Sequence, residues 1–277
     1  MSAIIMDGKK LAGEMLEELK NKVFGLNKKP HLTVILVGDN PASQIYVSSK
    51  EKRAKEIGFL VNVLRLPSEI SKEELLNEID ILNKSETDAI ILQLPLPKHL
   101  NEDDFASAII PAKDVDGFNP YNMGCLLRGE KPYAIPCTPK GIMYLLEKYN
   151  INLEGKNCVV VGRSNIVGKP MAHLLLQKNA TVTIAHSKTK NLSLITKNAD
   201  VIISATGIKK LIKADMVKNG AVVIDVGISR DENNKITGDV DFENVKEIAG
   251  YITPTPGGVG PMTVAELMQN TFELGMK

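Results

Sequence analysis

The sequence predicts an α/β protein of two domains, and three observations carry that reading. Strand-length apolar runs alternate with helix-length amphipathic segments in two separate stretches of the chain. The runs are apolar throughout rather than half polar, as expected of parallel strands covered on both faces. A looser passage bearing prolines and glycines, residues 95–139, parts the two stretches. With 277 residues, 43% of them hydrophobic, the chain has enough apolar material for cores of this kind.

In the first stretch Leu11, Met15, Leu16, Leu19 and Val23 recur at helical spacing, which predicts an amphipathic helix over 7–26. His31–Val37 reads as a strand that ends in Gly38-Asp39-Asn40-Pro41. Asn40 can cap a helix whose first residue is the proline, running to about Ile57. A strand over 59–66 follows, then a helix over 71–83 opened by the capping box Ser71-x-x-Glu74, then a strand over 88–94. Beyond the looser passage a helix over 140–149 leads to Gly155. Strands at 157–161, 181–185, 201–205 and 222–226, with helix-length segments between them, make the rhythm of a Rossmann-type doubly wound nucleotide-binding domain. The tail, 261–276, returns to helical spacing through Val264, Leu267, Met268 and Phe272, and is expected to pack back on the first domain. The domains are therefore placed at 1–139, joined by the helix 261–277, and at 140–260. No internal repeat is present.

Composition excludes several classes of function. The 34 basic and 33 acidic side chains leave a net charge of +1, so no long-range field draws nucleic acid or an anionic membrane. With no Trp and 4% aromatics there is little to stack single-stranded bases on. Cys125, Cys137 and Cys158 form an odd set without a C-x-x-C pair, which argues against a disulfide framework and a zinc site; His31, His99, His173 and His186 show no ligand spacing either. The first ten residues lack a basic start followed by an apolar run, and no stretch approaches the roughly 20 apolar residues that span a bilayer. A cytoplasmic chain, neither exported nor inserted in a membrane, is the expectation.

After the strand Val159-Val160-Val161 comes Gly162-Arg163-Ser164-Asn165-Ile166-Val167-Gly168-Lys169-Pro170, and then a helical segment. Glycines at a strand-to-helix turn let backbone approach a pyrophosphate, whose charge the helix N-terminus stabilises. Ser164 stands where the usual fingerprint has its second glycine, so a purely structural turn is the competing reading. NAD-specific folds place an acidic side chain after the second strand. Here that position reads Ala185-His186-Ser187-Lys188-Thr189-Lys190, polar and basic, with Arg163 in the turn: a set suited to the extra phosphate of NADP. Arg163 and Ser187 are the candidates; Lys188 and Lys190 read equally well as solvated charges.

On the helix after Asn40, Tyr46 and Lys50 lie four residues apart and so share a face. A ring beside an amine can hold a flat heterocycle against a proton-transfer group, although Lys50 also opens a charged run, 50–56, that reads as a solvated face. Gln93 is a polar residue at the carboxyl end of an apolar strand, where open α/β sheets bind ligands; a satisfied structural amide is the alternative. Asp116, before Gly117, is either a ligand contact or a turn residue.

Six motifs then converge. Tyr46-Val47-x-x-Lys50, Gln93-Leu94-Pro95-Leu96-Pro97, Lys113-Asp114-Val115-Asp116-Gly117, Pro136-Cys137-Thr138-Pro139-Lys140-Gly141, Gly162-Arg163-Ser164-x-x-Val167-Gly168-x-Pro170 and Pro254-Thr255-Pro256-Gly257-Gly258-Val259-Gly260-Pro261-Met262-Thr263 together resemble the bifunctional methylenetetrahydrofolate dehydrogenase/methenyltetrahydrofolate cyclohydrolase family. The resemblance runs in order along essentially the whole chain. Ala185, where the family often has cysteine, is a small departure.

The resemblance implies a three-layer α/β folate-binding domain followed by an NADP-binding domain, with a cleft between them. It implies oxidation of methylenetetrahydrofolate with NADP and hydrolysis of the methenyl product, without a metal, in a homodimer. Lys50 is then the general acid/base, Gln93 bonds and tunes it, Tyr46 packs on the folate and Asp116 binds the pterin. Leu94, Pro256, Gly257 and Gly258 complete the side that holds tetrahydrofolate derivatives, and Gly162, Arg163, Ser164, Ser187 and Ile228 the NADP side. Chemistry adds a requirement: a free lysine, with a pKa of about 10.4, acts as a base at neutral pH only if burial or nearby positive charge favours the neutral amine. Lys52 and Arg53 are candidates for that charge. Two other readings stay open: a dehydrogenase that has lost hydrolysis, which the intact Tyr46, Lys50, Gln93 and Asp116 set disfavours, and a non-catalytic dinucleotide sensor, which has no need of Lys50.

Overall fold

In the computed structural model, which describes residues 2–230, 232 and 235–277, the chain passes through β1 (Ile4–Ile5), α1 (Gly8–Phe24), β2 (His31–Val37), α2 (Pro41–Ile57), β3 (Leu60–Leu66), α3 (Lys72–Lys84), β4 (Ala89–Leu92), α4 (Pro120–Arg128) and α5 (Cys137–Lys148). It continues through β5 (Asn157–Val161), α6 (Gly168–Gln177), β6 (Thr181–Ala185), α7 (Leu192–Thr196), β7 (Val201–Ser204), β8 (Val222–Asp225), β9 (Ser229–Arg230), β10 (Ile236–Thr237), α8 (Phe242–Val245), β11 (Tyr251–Ile252) and α9 (Val259–Gly275). These elements fall into two units, one of Glu14–Cys137 with Val264–Lys277, the other of Met1–Gly13 with Thr138–Thr263.

The first unit is built on a parallel sheet of three strands in the order β3-β2-β4. Strand β2 alternates its side chains between two apolar layers. Leu32, Val34 and Leu36 pack with Leu19 and Val23 of α1, Val47, Ala54 and Ile57 of α2, and Leu267, Met268 and Leu274 of α9. Ile35 and Val37 face the other way, against Leu75, Ile79 and Leu82 of α3 and the loop residues Leu100, Phe105 and Ile109. Burial on both faces is what the uniformly apolar strands require. Both ends of α2 are capped: Asn40 Oδ1 accepts from the amides of Ala42 and Ser43 at 3.0 and 3.1 Å, and Gly58, at φ 96°, closes the helix through its backbone N–H. Ser71 and Glu74 form the reciprocal capping box at the start of α3.

The second unit holds a parallel six-stranded sheet in the order β1-β11-β8-β7-β5-β6. After edge strand β1, the chain re-enters the sheet at β5, steps outward to β6, then crosses back to β7 and on to β8 and β11, which pairs with β1. That reversal is the doubly wound topology, with its switch point between β5 and β7.

Three features differ from the sequence reading. Residues 1–13, assigned to the first domain, group with the second unit, because Ile4 and Ile5 extend its sheet by pairing with Tyr251 and Ile252. The looser passage contains a regular helix, α4, capped by Asn119 and closed by Gly129 at φ 74°. An antiparallel hairpin, β9 with β10, follows the last long strand. Among the described residues no helix is long and apolar enough to cross a membrane.

Candidate active site

Five residues of α2 make its inward stripe. Ser43, Val47, Ala54 and Ile57 are buried against the sheet, and Lys50 falls between Val47 and Ala54 in the same 4-3-4-3 spacing. The backbone therefore turns Lys50 toward the core side while the rest of the charged run stays outside. Arg53 pairs with Glu56 at 2.9 Å and Lys55 with Glu51 at 2.6 Å, all in part exposed. Lys52 lies 4.0 Å from Glu56. Neither Lys52 nor Arg53 is the source of a lowered amine pKa, as the sequence had suggested. Burial is: it pushes Lys50 below the usual lysine value, and the charge of Asp116 opposes it.

Lys50 Nζ donates to Gln93 Oε1 at 2.9 Å. Gln93 follows β4, is almost fully buried, and hangs its amide N–H on Ile35 O at 2.9 Å. Its side-chain Nε2 donates to Leu94 O at 2.6 Å. A carbonyl only accepts, so this contact fixes the amide orientation and leaves Oε1 facing the lysine. The Gln93 side chain is a directed acceptor, rather than a satisfied amide with no bearing on Lys50. Tyr46, one turn before Lys50 on α2, is 49% exposed.

Asp116 is half-buried, and burial raises its pKa while Lys50 and the Cys137 thiol pull it down. Cys137 Sγ lies 3.8 Å from Asp116 Oδ1 and 3.6 Å from Val115 O. Asp114, two residues earlier, organises the turn. Its carboxylate accepts from Gly117 N at 3.1 Å, Asn119 N at 2.7 Å and Asn122 Nδ2 at 3.1 Å. Burial nevertheless pushes Asp114 up to about 6, against those donors. From α9, Asn270 Nδ2 donates to Val115 O and Ile135 O, both at 2.9 Å. Lys50, Gln93 and Asp116 are thus gathered around one amine, and Asp114, Cys137 and Asn270 support them. Asp114 stood in a motif already singled out, but Asn270 is 155 residues from the carbonyl it holds and carried no local signal.

In the other unit the candidates gather at the carboxyl ends of β5 and β6. Val161 pairs with Ala185, and Gly162 N donates to Ala185 O at 2.8 Å, so the turn after β5 and the segment after β6 leave the sheet side by side. Gly162 has φ 132°. At Gly168 a Cβ would stand 2.3 Å from Gly162 O, so the loop closes on the first residue of α6 only because nothing protrudes there. Ser164 Oγ accepts from Val167 N and Gly168 N at 3.2 and 3.3 Å and does the work of an N-cap. Arg163, Ser164 and Ser187 are exposed. No carboxylate follows β6; His186 and Thr189 bond the backbone of that turn instead. Ile228, beyond β8, is 56% exposed. This donor set, a cation and hydroxyls beside a helix N-terminus, fits a dinucleotide with an extra phosphate. Pro256, Gly257 and Gly258 also belong to this unit, where Lys9 N donates to Gly257 O at 2.8 Å.

Family models account for nearly all of the chain. The tetrahydrofolate dehydrogenase/cyclohydrolase catalytic domain matches residues 6–116, and the NAD(P)-binding domain of the same description matches residues 136–277. The chain belongs to the tetrahydrofolate dehydrogenase/cyclohydrolase family. Among relatives, the Bifunctional protein FolD of Pediococcus pentosaceus is 55% identical over 275 residues, which is 98% of this chain and 97% of that one. The FolD methylenetetrahydrofolate dehydrogenase/cyclohydrolase of Campylobacter jejuni superposes with a TM-score of 0.98 at 50% identity, covering 99% of each chain. The Trypanosoma brucei family member, solved with NADP cofactor and an inhibitor, gives 0.94 at 37% identity over 100% of this chain and 98% of its own.

Proposed function

We propose that this chain oxidises 5,10-methylenetetrahydrofolate with NADP and hydrolyses the resulting 5,10-methenyl compound to 10-formyltetrahydrofolate. The observation that carries the reading is the half-buried Lys50 amine, directed by Gln93 and faced by Asp116, in a chain of this family. The Glu14–Cys137 unit with Val264–Lys277 is assigned to the folate, and the Thr138–Thr263 unit to the dinucleotide. NADP, when bound, supplies the hydride acceptor. The residues that hold it are Gly162, Arg163, Ser164, Ser187 and Ile228.

The chain's own residues do the rest. Tyr46 offers a ring face to the pterin, and Asp116 offers a carboxylate to its donor groups. Leu94, in the same unit, extends the substrate side. The methenyl cation adds water, and a base must take a proton as the C–O bond forms. Lys50 in its neutral form accepts that proton, Gln93 Oε1 orients the amine, and the ammonium so formed returns the proton to the departing ring nitrogen. Incubation with methylenetetrahydrofolate and NADP, followed by NADPH appearance, tests the first step. Decay of supplied methenyltetrahydrofolate tests the second; absence of both signals overturns the reading. We extend it to a cytoplasmic homodimer, which the exposed Leu176 and Ile184 on α6 and the edge strand β6 support.

Two consequences are measurable. The Asp116 charge raises the Lys50 pKa more than Cys137 does, so Asp116→Asn removes the main opposition to burial and favours the neutral amine. The rising limb of the pH profile for hydrolysis is expected at lower pH in this variant, whatever happens to KM; an unmoved or upward-shifted limb contradicts the assignment of that limb to Lys50. Arg163→Ala removes a cation set to meet the extra phosphate. The KM for NADP is expected to rise by about 10- to 100-fold while that for NAD barely changes, as steady-state kinetics with both nucleotides will report.

A further inference from the structure

The second unit buries two carboxylates that the reaction does not use. Asp225 ends β8 and Asp239 lies just after the β9–β10 hairpin; they are 3% and 0% exposed. Asp239 N donates to Asp225 Oδ1 at 2.9 Å, and no cation is paired with either among the described residues. Burying two acids together is costly, and apolar residues of similar volume serve stability as well or better. The pair therefore calls for a reason other than stability, and its contacts supply one.

Asp239 Oδ2 accepts from Ser204 Oγ at 2.9 Å, Thr206 N at 2.7 Å and Thr206 Oγ1 at 2.9 Å. These donors belong to the end of β7 and the loop that leaves it. Thr206 Oγ1 in turn accepts from Ile208 N at 3.1 Å, so one carboxylate oxygen shapes the segment 204–208. Asp225 Oδ1 accepts from Gly227 N at 3.0 Å in the loop that leaves β8. Asp239 Oδ1 has no donor among the described residues and fills the space where a Gly227 side chain would stand, 2.0 Å from the ideal Cβ. Ser229 Oγ donates to Gly207 O at 2.9 Å and ties the two loops together. Both loops leave the carboxyl ends of β7 and β8, on the far side of the switch point from Arg163 and Ser187. In a doubly wound sheet a dinucleotide extends across that point, one half over each set of strands.

We propose that Asp239, supported by Asp225, is a positioning residue for the dinucleotide: it sets the loops after β7 and β8 in the shape that receives the half of NADP opposite its extra phosphate. This rests on the NADP reading given above. The carboxylate touches backbone and hydroxyl donors of the loops, and through them fixes the surface that includes Ile228.

The test separates binding from chemistry, because hydrolysis of methenyltetrahydrofolate needs no nucleotide. For Asp239→Ala, the Kd for NADP, titrated calorimetrically on the whole protein, and the KM for NADP are expected to rise at least about tenfold. Hydrolysis without nucleotide should stay within about twofold of wild type, and Asp239→Asn, which keeps one acceptor oxygen, should recover part of the loss. Thr206→Val removes one donor without opening a cavity and should raise the Kd about threefold; it decides the matter alone if Asp239→Ala does not fold. A wild-type Kd in the folded variants, or a parallel fall of hydrolysis and oxidation, overturns the positioning role. A wild-type protein that neither binds NADP nor turns over the folates sinks the parent reading instead.

Discussion

Lys50→Ala is expected to slow methenyltetrahydrofolate hydrolysis by about 10²- to 10⁴-fold, the range that one positioned proton-transfer group supplies. The fold should survive. Alanine is the better helix former, and α2 keeps its Asn40 cap, its Gly58 terminus and the four buried residues of its stripe. What is lost inside is the contact to Gln93 Oε1, a cost of about 1–3 kcal/mol for a buried acceptor left without its donor. Lys50→Arg should be nearly as damaging, since a guanidinium stays protonated and cannot act as a base at neutral pH. Decay of the methenyl chromophore measures the rate, and circular dichroism melting measures the fold. Hydrolysis at the wild-type rate in a folded Lys50→Ala protein removes Lys50 from the mechanism.

The same residue shows where sequence reasoning reached its limit. Lys50 sits in a run of charges, and the run by itself describes a solvated face. The information that it points inward lay in the spacing of Ser43, Val47, Ala54 and Ile57, which leaves the place at 50 on the buried stripe. A serine and an alanine are weak markers of a core, so the stripe is hard to see without coordinates. Gln93 was readable as a polar residue at a strand's carboxyl end. Which of its atoms faces the amine followed only from the Leu94 carbonyl. The supports differ again. Asp114 lies within a recognisable motif, whereas Asn270 and the Asp225–Asp239 pair act through contacts 14 to 155 residues apart that no local pattern encodes.

Elements with strong local chemistry were legible. The ends of α2 and the start of α3 followed from Asn40-Pro41 and from Ser71 with Glu74, and the long apolar strands followed from their composition. Helix α4 carries the same signature as α2, with Asn119-Pro120 before it and Gly129 after it. It was hidden because the helix is only nine residues long, within a passage dominated by prolines and glycines. Strands β1 and β11 are two residues long, too short for any period to show. Their pairing is what draws residues 1–13 into the other unit.

Gly168→Ala is expected to abolish NADP-linked oxidation while sparing hydrolysis. The new methyl group would stand 2.3 Å from Gly162 O, 2.6 Å from Gly162 C and 2.8 Å from Arg163 Cα. All three are backbone atoms, so no side chain can swing aside; the loop 162–167 must lift off α6. Lifting it separates Ser164 Oγ from the amides of Val167 and Gly168 and carries Arg163 away from the residues that follow β6. Anion binding at a helix N-terminus depends on those amides and the nearby cation converging on one point. A rise of about 100-fold or more in the Kd for NADP is therefore expected, with some loss of melting temperature from the disturbed turn. Hydrolysis should persist, because Lys50, Gln93 and Asp116 belong to the other unit, built on β2. Undiminished NADP binding in Gly168→Ala would mean that the turn after β5 is only structural and that the pyrophosphate is held elsewhere.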